Sequence, residues 1–360
     1  MAGGGSKTRR VAPARRARLD RPRQASAAGA FATIRPVLAV LQVTFPFFAL
    51  VLAGYIAARR RMLPFEAIGG LNSFVLYFAL PCLLYRFGAN TPIAQMLDPA
   101  GLVLWLACAL LMVAGTVKFS MNARIRWNDA SFGALVAAFP NTGFMGVPLL
   151  VALLGPRAAG PAILTILIDL VVTSSLCIAL SRLDSADEHG AAQAAKKALQ
   201  GVALNPMPWA ILLGGLASAI GRKPIAPVMN TIGLLADAAS PVALFTIGAV
   251  LARSQAVAAA GEHGPMPARD FVPVALAKLL LHPLLVWCAG TAMRAAGMPL
   301  DPFALTVMVL VAALPSASNV SLLAERFGAD TGRIARIILL TTAAAFLTFS
   351  AAVALLEPAR

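Results

Sequence analysis

The pattern of apolar and polar positions predicts about ten helical segments. Apolar runs, most of them long enough to cross the hydrocarbon core of a bilayer, recur along the chain with short polar stretches between them. The runs are continuous rather than alternating, so they indicate helices and not the strands of a barrel. The predicted spans are 37–57, 68–87, 99–118, 131–153, 159–181, 206–221, 228–252, 271–294, 303–324 and 334–356.

Composition agrees with an all-α polytopic membrane protein. Of 360 residues, 59% are apolar and only 12% are charged, and the mean hydropathy is +0.80. A water-soluble domain of this size would have to expose much of that apolar surface. The lipid bilayer is therefore the expected surroundings of the chain.

The net charge of +15 could suggest a nucleic-acid partner, but its distribution argues against one. Nine of the thirty basic residues lie in a Gly-, Ala- and Pro-rich segment before the first span. We expect residues 1–36 to form a disordered basic tail and residues 357–360 a short second tail. If the N-terminus lies outside, as the loop charges predict below, these nine positive charges would have to cross the membrane. The tail lacks the apolar core and cleavage site of a signal peptide, so our hypothesis is a gene start near Val37, with the tail absent from the mature protein.

The lysines and arginines of the loops predict the orientation in the membrane. Fourteen follow the odd-numbered spans: Arg59, Arg60, Arg61, Lys118, Arg124, Arg126, Arg182, Lys196, Lys197, Arg253, Arg269, Arg326, Arg333 and Arg336. Six lie on the other side: Arg86, Arg157, Arg222, Lys223, Arg294 and Arg360. The side with fourteen, including the connection 182–205, is expected to be cytoplasmic, with both termini outside.

The connection 182–205 also divides the chain into two units of five predicted spans, 37–181 and 206–356. Each unit has a proline inside its second span, Pro81 or Pro241, and an interruption of its fourth, at 138–148 or 313–320. Pro81 and Pro140 are 59 residues apart, Pro241 and Pro315 are 74 apart, and the polar loop 256–270 supplies the difference of 15. Because five is odd, the second unit is predicted to be inverted relative to the first.

The interruptions of the fourth and ninth spans contain the residue types that break helices. Pro140, Gly143 and Pro148 lie in the first, and Pro315 lies in the second. Proline removes a backbone donor, and unwound backbone at membrane depth is tolerated only beside protein or a water-filled cavity. Two broken helices at matching positions therefore predict a transport site near the midplane. The alternative is that these prolines only kink packed helices.

Polar side chains at and near the interruptions are the candidates for binding a carboxylate. Half-helix ends and free N–H groups can receive an anion without a buried counter-charge. The candidates are Asn141, Thr142, Ser316, Ser318 and Asn319, together with Asn72 of the second span.

Four ionisable residues lie well inside predicted spans, where each is costly without a partner or a cavity. Asp169, Asp237 and His282 are the candidates for ion coupling, and Lys278 is a candidate for attracting the anion. In the empty protein Lys278 is expected to pair with Asp169 or Asp237. The alternatives are a structural pairing of Asp169, a satisfied core histidine at His282, and a Lys278 side chain that extends to the membrane interface.

Four segments together resemble the auxin efflux carriers, in particular their bacterial malate- and malonate-type members. They are LNSFVLYFALP (71–81), AFPNTGFMGVPLL (138–150), LNPMPWAILLG (204–214) and LPSASNVSLLAERFGAD (314–330). The resemblance covers the chain from Val37 onward and implies two inverted repeats, a crossing of the broken helices, elevator-like movement, and transport of organic anions. It supports Asn141 and Asn319 most strongly, since they take the crossover positions. The short connection between spans five and six differs from that of the plant carriers, so auxin is not implied as the substrate.

We therefore expect a secondary transporter of small organic anions, mono- or dicarboxylates, in a bacterial inner membrane. The sequence contains no H-E-x-x-H, G-x-x-x-x-G-K-[ST], C-x-x-C or G-x-S-x-G, so no catalytic residue, metal or cofactor is expected. Coupling to protons or to sodium and a homodimeric state stay open. The alternatives are a sodium-coupled symporter or cation/proton antiporter of similar architecture and, from another class, a ligand-sensing membrane module.

Overall fold

The computed structural model describes residues 1–3, 42, 45–92, 98–183, 200, 203–204, 206–259 and 266–356. Most of the expected tail 1–36, most of the connection 182–205, and residues 357–360 lie outside these residues. The described part of the chain is helical nearly throughout and contains no strand beyond one isolated bridge. The prediction of an all-α chain is confirmed for these residues.

A helix lies at each predicted position. The long apolar helices are α2 (Ala67–Asn90), α3 (Pro99–Ser120), α5 (Pro156–Leu180), α7 (Ala226–Ala259), α8 (Val272–Ala295) and α10 (Thr331–Leu356). Each is long and apolar enough to cross a membrane. The shorter helices are α1 (Phe45–Arg59), α4a (Trp127–Ala138), α4b (Thr142–Leu154), α6 (Pro206–Ala219), α9a (Pro302–Ala313) and α9b (Val320–Arg326).

The fourth and ninth predicted spans are each split into two half-helices, and their interruptions lie against each other. The backbone N–H of Asn141 donates to the carbonyl of Pro315 at 2.8 Å, and that of Ala317 donates to the carbonyl of Phe139 at 2.9 Å. These bonds form an antiparallel bridge between Pro140 and Ser316. Backbone groups freed by the two breaks therefore satisfy each other in the interior of the molecule.

Prolines inside the continuous helices produce a different distortion. Wider π-turns at 75–79, 142–146 and 277–281 each end two residues before a proline, namely Pro81, Pro148 and Pro283. A proline ring clashes with the carbonyl four residues earlier and removes one helical hydrogen bond. The π-turn makes room for that carbonyl while the helix continues. Pro241 lies inside α7, which also continues past it.

The helices of the broken pair lie in the centre of the molecule. Every residue from 130 to 138 of α4a is buried, and so is most of α9a. The outer helices expose apolar side chains, for example Leu110 and Leu111 on α3 and Leu212 and Leu216 on α6. Exposed apolar residues of this size and number fit a surface that faces lipid.

Two pairs of outer helices approach each other at glycines. A Cβ atom at Gly54 of α1 would overlap the carbonyl oxygen of Phe245 in α7, and one at Gly248 of α7 would overlap that of Val51 in α1. In the same way Gly88 of α2 lies against the backbone of α6 at Gly214. Because only glycine leaves room for such close backbones, these contacts fix how α1 packs on α7 and α2 on α6.

A buried arginine joins three chain segments at one end of the molecule. The Arg333 side chain, 1% exposed, donates from Nη1 to the carbonyl of Asp129 at 2.7 Å and from Nε to that of Asp270 at 2.8 Å. Its backbone N–H donates to the Asp330 carboxylate. The starts of α4a, α8 and α10 therefore lie at the same end of the molecule.

The close approach of α1 and α7 predicts a large difference between two glycines of one helix. Gly248→Ala should lower the free energy of unfolding by about 1–3 kcal/mol or more, because the added methyl group meets backbone that cannot move away. Gly233→Ala, where a Cβ atom meets nothing within 4 Å, should be neutral or stabilising by up to about 1 kcal/mol. Thermal unfolding of the detergent-solubilised variants measures both. Equal stability of the two would contradict this packing.

Candidate functional site

Two small cavities lie beside the crossing of the broken helices. The first, called here the crossing cavity, is lined by residues that include Pro140, Asn141, Gly143, Phe144 and Asn319. The second, the lateral cavity, is lined by residues that include Asn72, Phe144, Arg253, Ser318 and Asn319. Each has a volume of about 20 Å³, which is room for a single water molecule. The two cavities share Phe144 and Asn319.

The structure brings the two asparagines to the same cavity, as expected for crossover positions. Asn141 is 4% exposed and directly follows the bridge residue Pro140. Asn319 immediately precedes α9b, and its Oδ1 is buried without a hydrogen-bond partner in the described part of the chain. A buried amide oxygen without a partner is costly, and beside a cavity it can accept a hydrogen bond from water or from a donor group of a ligand. The Nδ2 group of the same amide is the donor that can reach an anion.

Asn72 of α2 and Ser318 of the α9 interruption line the lateral cavity together. Gly143 and Pro140 line the crossing cavity. Pro148 instead lies at the second position of the regular helical segment after the π-turn of α4b, where its missing N–H is tolerated. Pro315 contributes its carbonyl to the bridge.

Ser316 and Thr142 are placed differently from the other candidates. The Ser316 hydroxyl donates to the carbonyl of Val136 at 2.7 Å and is buried, so it satisfies a free carbonyl near the end of α4a. Thr142 is completely buried, with its hydroxyl 3.5 Å from the carbonyl of Pro140. Neither residue lines the crossing or the lateral cavity. Both stabilise the crossing from within in this conformation.

Lys278 lies in the core and not at the membrane interface. Its side chain is completely buried, so the alternative in which it extends to the interface is wrong. Nζ donates to the carbonyl of Ala312 at 2.6 Å and lies 3.3 Å from Nδ1 of His282. Ala312 belongs to the last turn of α9a, whose final carbonyls have no partner within the helix. A cation there satisfies a carbonyl and complements the helix dipole.

Asp169 occupies the same buried region. Its Oδ1 accepts from Nε1 of Trp105 at 3.1 Å and from the hydroxyl of Thr173 at 3.0 Å, while Oδ2 has no partner in the described residues. It interacts electrostatically with Lys278 without a direct ion pair. Trp105 also packs against His282, with ring centroids 5.3 Å apart. Asp169, Lys278 and His282 thus form one cluster between α3, α5, α8 and α9a.

Asp237 is not part of this cluster. The structure contradicts the alternative in which it pairs with Lys278, because it forms an ion pair with Arg86 at 2.6 Å and its side chain is 71% exposed. It also lines neither cavity. Asp237 lies four residues before Pro241, and the long α7 passes that proline without breaking.

Arg253 is the residue at this site that sequence reasoning missed. It was counted among the loop arginines because it follows the apolar run of the seventh predicted span. In the structure α7 continues to Ala259, and Arg253 is half-buried and lines the lateral cavity. No local sequence signal separates it from the other arginines near helix ends; its proximity to Asn72 and Asn319 arises only in the fold.

Taken together, the many apolar helices and a crossing of two broken helices beside small cavities that a few polar side chains line define a multi-pass membrane transport protein. The model of the family described as "Membrane transport protein" matches residues 39–353. The chain belongs to this family, which confirms the resemblance on which the sequence analysis relied.

Several relatives are transporters by name. The "Putative malonate transporter" of Rhizobium meliloti (strain 1021) is 30% identical over 303 residues, which are 83% of this chain and 90% of the relative. The "Uncharacterized transporter YfdV" of Escherichia coli (strain K12) is 28% identical over 292 residues, 79% and 88% of the two chains. "Auxin efflux carrier component 4" of Arabidopsis thaliana is 27% identical over 117 residues, 32% of this chain and 19% of that protein.

The buried cluster predicts a partial rescue between Lys278 and Asp169. Lys278→Met should lower the free energy of unfolding by about 1–3 kcal/mol, because it leaves the buried Ala312 carbonyl without its donor and removes the cation that interacts with Asp169. Adding Asp169→Asn should restore part of that loss, and Lys118→Met, which removes an exposed lysine, should change stability little. Thermal unfolding in detergent measures all three. A double variant no more stable than Lys278→Met alone would contradict the electrostatic coupling.

Proposed function

We propose that the chain is a secondary transporter that carries small organic anions, with mono- and dicarboxylates as the substrate class, by alternating access. The observation that carries this proposal is the pair Asn141 and Asn319 at one cavity beside the crossing. Each amide can donate to a carboxylate oxygen. The name of the Rhizobium meliloti relative supports a dicarboxylate, and malonate is the first substrate to test.

The local electrostatics favour an anion at the crossing cavity. Gly143 and Phe144 line it and lie in the first turn of α4b, where backbone N–H groups have no partner within the helix. The positive end of the helix dipole adds to these donors. A carboxylate can therefore be held by neutral donors at the centre of the protein.

We also propose that the chain consists of two inverted repeats that move by an elevator mechanism. The glycine contacts support the repeat: Gly54 and Gly214, and Gly88 and Gly248, are each 160 residues apart, as are Pro81 and Pro241. In the proposed repeat, α1 corresponds to α6 and α2 corresponds to α7. The contact of α1 with α7 is therefore equivalent to the contact of α6 with α2. The outer helices α1, α2, α6 and α7 would then be the fixed part, and the core around the crossing the moving part.

Asp169 and His282 are the residues that we propose for coupling to protons. Each keeps one buried polar atom, Oδ2 or Nε2, without a hydrogen-bond partner in the described residues. Both belong to the cluster that holds the end of α9a through Lys278. A change in charge at this cluster would thus act directly on one half of the crossing.

Uptake of labelled malonate by proteoliposomes tests the proposed function. Wild-type protein should accumulate malonate, and Asn141→Ala and Asn319→Ala should each lower uptake by at least about tenfold, because each removes an amide from the crossing cavity while apolar packing stays. Asn230→Ala, which changes an exposed asparagine of α7, is the matched control and should transport normally. Wild-type rates in both cavity variants would overturn the site. Repeating the assay with and without sodium, and with a pH gradient, separates the coupling ions.

The charge distribution of the loops predicts the orientation in the inner membrane, with fourteen basic residues on the proposed cytoplasmic side against six on the other. In a variant whose native cysteines are replaced, a cysteine at Ala192 should resist an impermeant thiol reagent in intact spheroplasts. A cysteine at Arg222, at the opposite end, should react. The reverse pattern would invert the topology.

A further inference from the structure

The lateral cavity is lined by one arginine and four neutral polar residues, of which Ser321 bonds its hydroxyl to the carbonyl of Ser318. Arg253 of α7 and Asn72 of α2 line one side, and Ser318 and Asn319 of the α9 interruption line the other. The cavity therefore lies between the outer helices and the crossing. It is the place where a ligand held at the crossing would meet a positive charge.

Arg253 contrasts with three arginines of the described structure whose side chains have a protein partner. Arg86 pairs with Asp237, Arg333 bonds two carbonyls, and Arg59 donates to the hydroxyl of Tyr55. Arg253 is half-buried, and no described residue forms a hydrogen bond or ion pair with it. A partly desolvated cation without a counter-charge lowers stability, so its position beside a polar cavity favours a bound anion as its partner.

The two cavities meet at Asn319 and Phe144. A ligand with one carboxylate in the crossing cavity and a second carboxylate a few bonds away can extend into the lateral cavity. Lys278 cannot take this role in the present conformation, because it lines neither cavity and its Nζ is bound to the Ala312 carbonyl. Arg253 can, since its guanidinium has the fork of donors that matches a carboxylate.

We propose that Arg253 binds the second carboxylate of a short dicarboxylate whose first carboxylate lies between Asn141 and Asn319. This deepens the proposed function and rests on it: it narrows the substrate class from small organic anions to dicarboxylates and assigns the specificity to one side chain. Asn72 and Ser318 add neutral hydrogen bonds around the second carboxylate. Phe144, between the two cavities, packs against the methylene carbon that joins the carboxylates.

The experiment compares malonate with monomethyl malonate, which keeps one carboxylate and neutralises the other. In proteoliposomes, Arg253→Gln should raise the KM for malonate by at least about tenfold and change the KM or inhibition constant of monomethyl malonate by less than about threefold. Arg253→Lys keeps the charge but not the fork and should fall between wild type and Arg253→Gln. Arg59→Gln removes a nearby arginine that lines neither cavity and is the matched control.

Each outcome decides the proposal. An unchanged malonate KM in Arg253→Gln, with normal wild-type uptake, overturns the role of Arg253 and leaves the proposed function standing. An equal loss for both ligands overturns it as well, because a general structural effect does not distinguish the carboxylates. If wild-type protein transports neither ligand, the proposed function is wrong and the assignment of Arg253 falls with it. Should Arg253→Gln fail to fold, Arg253→Lys decides: an unchanged malonate KM contradicts the proposal.

Discussion

The structure depends on one constraint: backbone polar groups that leave a helix at membrane depth must find partners inside the protein. Pro140 and Pro315 each interrupt a helix in the buried interior of the molecule. The two breaks satisfy each other through the Asn141–Pro315 and Ala317–Phe139 hydrogen bonds, and the Ser316 hydroxyl takes the carbonyl of Val136. Because this solution needs both breaks in one place, it also brings Asn141 and Asn319 to one cavity.

The same constraint explains why charged residues are buried beside the site. Half-helices end beside the crossing, and one of their free carbonyls, that of Ala312, is held by a buried lysine. That lysine in turn requires neutral and acidic neighbours, and His282 and Asp169 supply them. A movement of the crossing relative to α8 would therefore break the contacts of this cluster. The close glycine contacts of α1 with α7 and of α2 with α6 hold the outer helices together independently of it.

Much of the fold could be predicted because its signals are local. Apolar runs indicated all the helix positions, and prolines with neighbouring asparagine and glycine indicated the two interruptions. The π-turns before Pro81, Pro148 and Pro283 could not be predicted from the sequence. The N–H group that a proline lacks can be accommodated by a kink, by a break or by a π-turn, and the sequence does not distinguish these three. Asp237 was a candidate because it lies inside a predicted span, but position within an apolar run does not determine which face of the helix a side chain occupies.

The sequence by itself determined that the chain is helical, that it belongs in a membrane, where its helices break, and that Asp169, Lys278 and His282 lie within helical spans. The lengths of apolar runs and the positions of prolines and ionisable residues are local features of the sequence, so they can be interpreted without knowing the fold. Only the tertiary structure decided the partners: Lys278 with the Ala312 carbonyl, Asp237 with Arg86, and Arg253 with the lateral cavity. Lys278 and Ala312 are 34 positions apart in the sequence, Arg86 and Asp237 are 151 apart, and Asn72 and Arg253, which line the same cavity, are 181 apart. No local pattern in the sequence encodes which distant helix a charged side chain will contact.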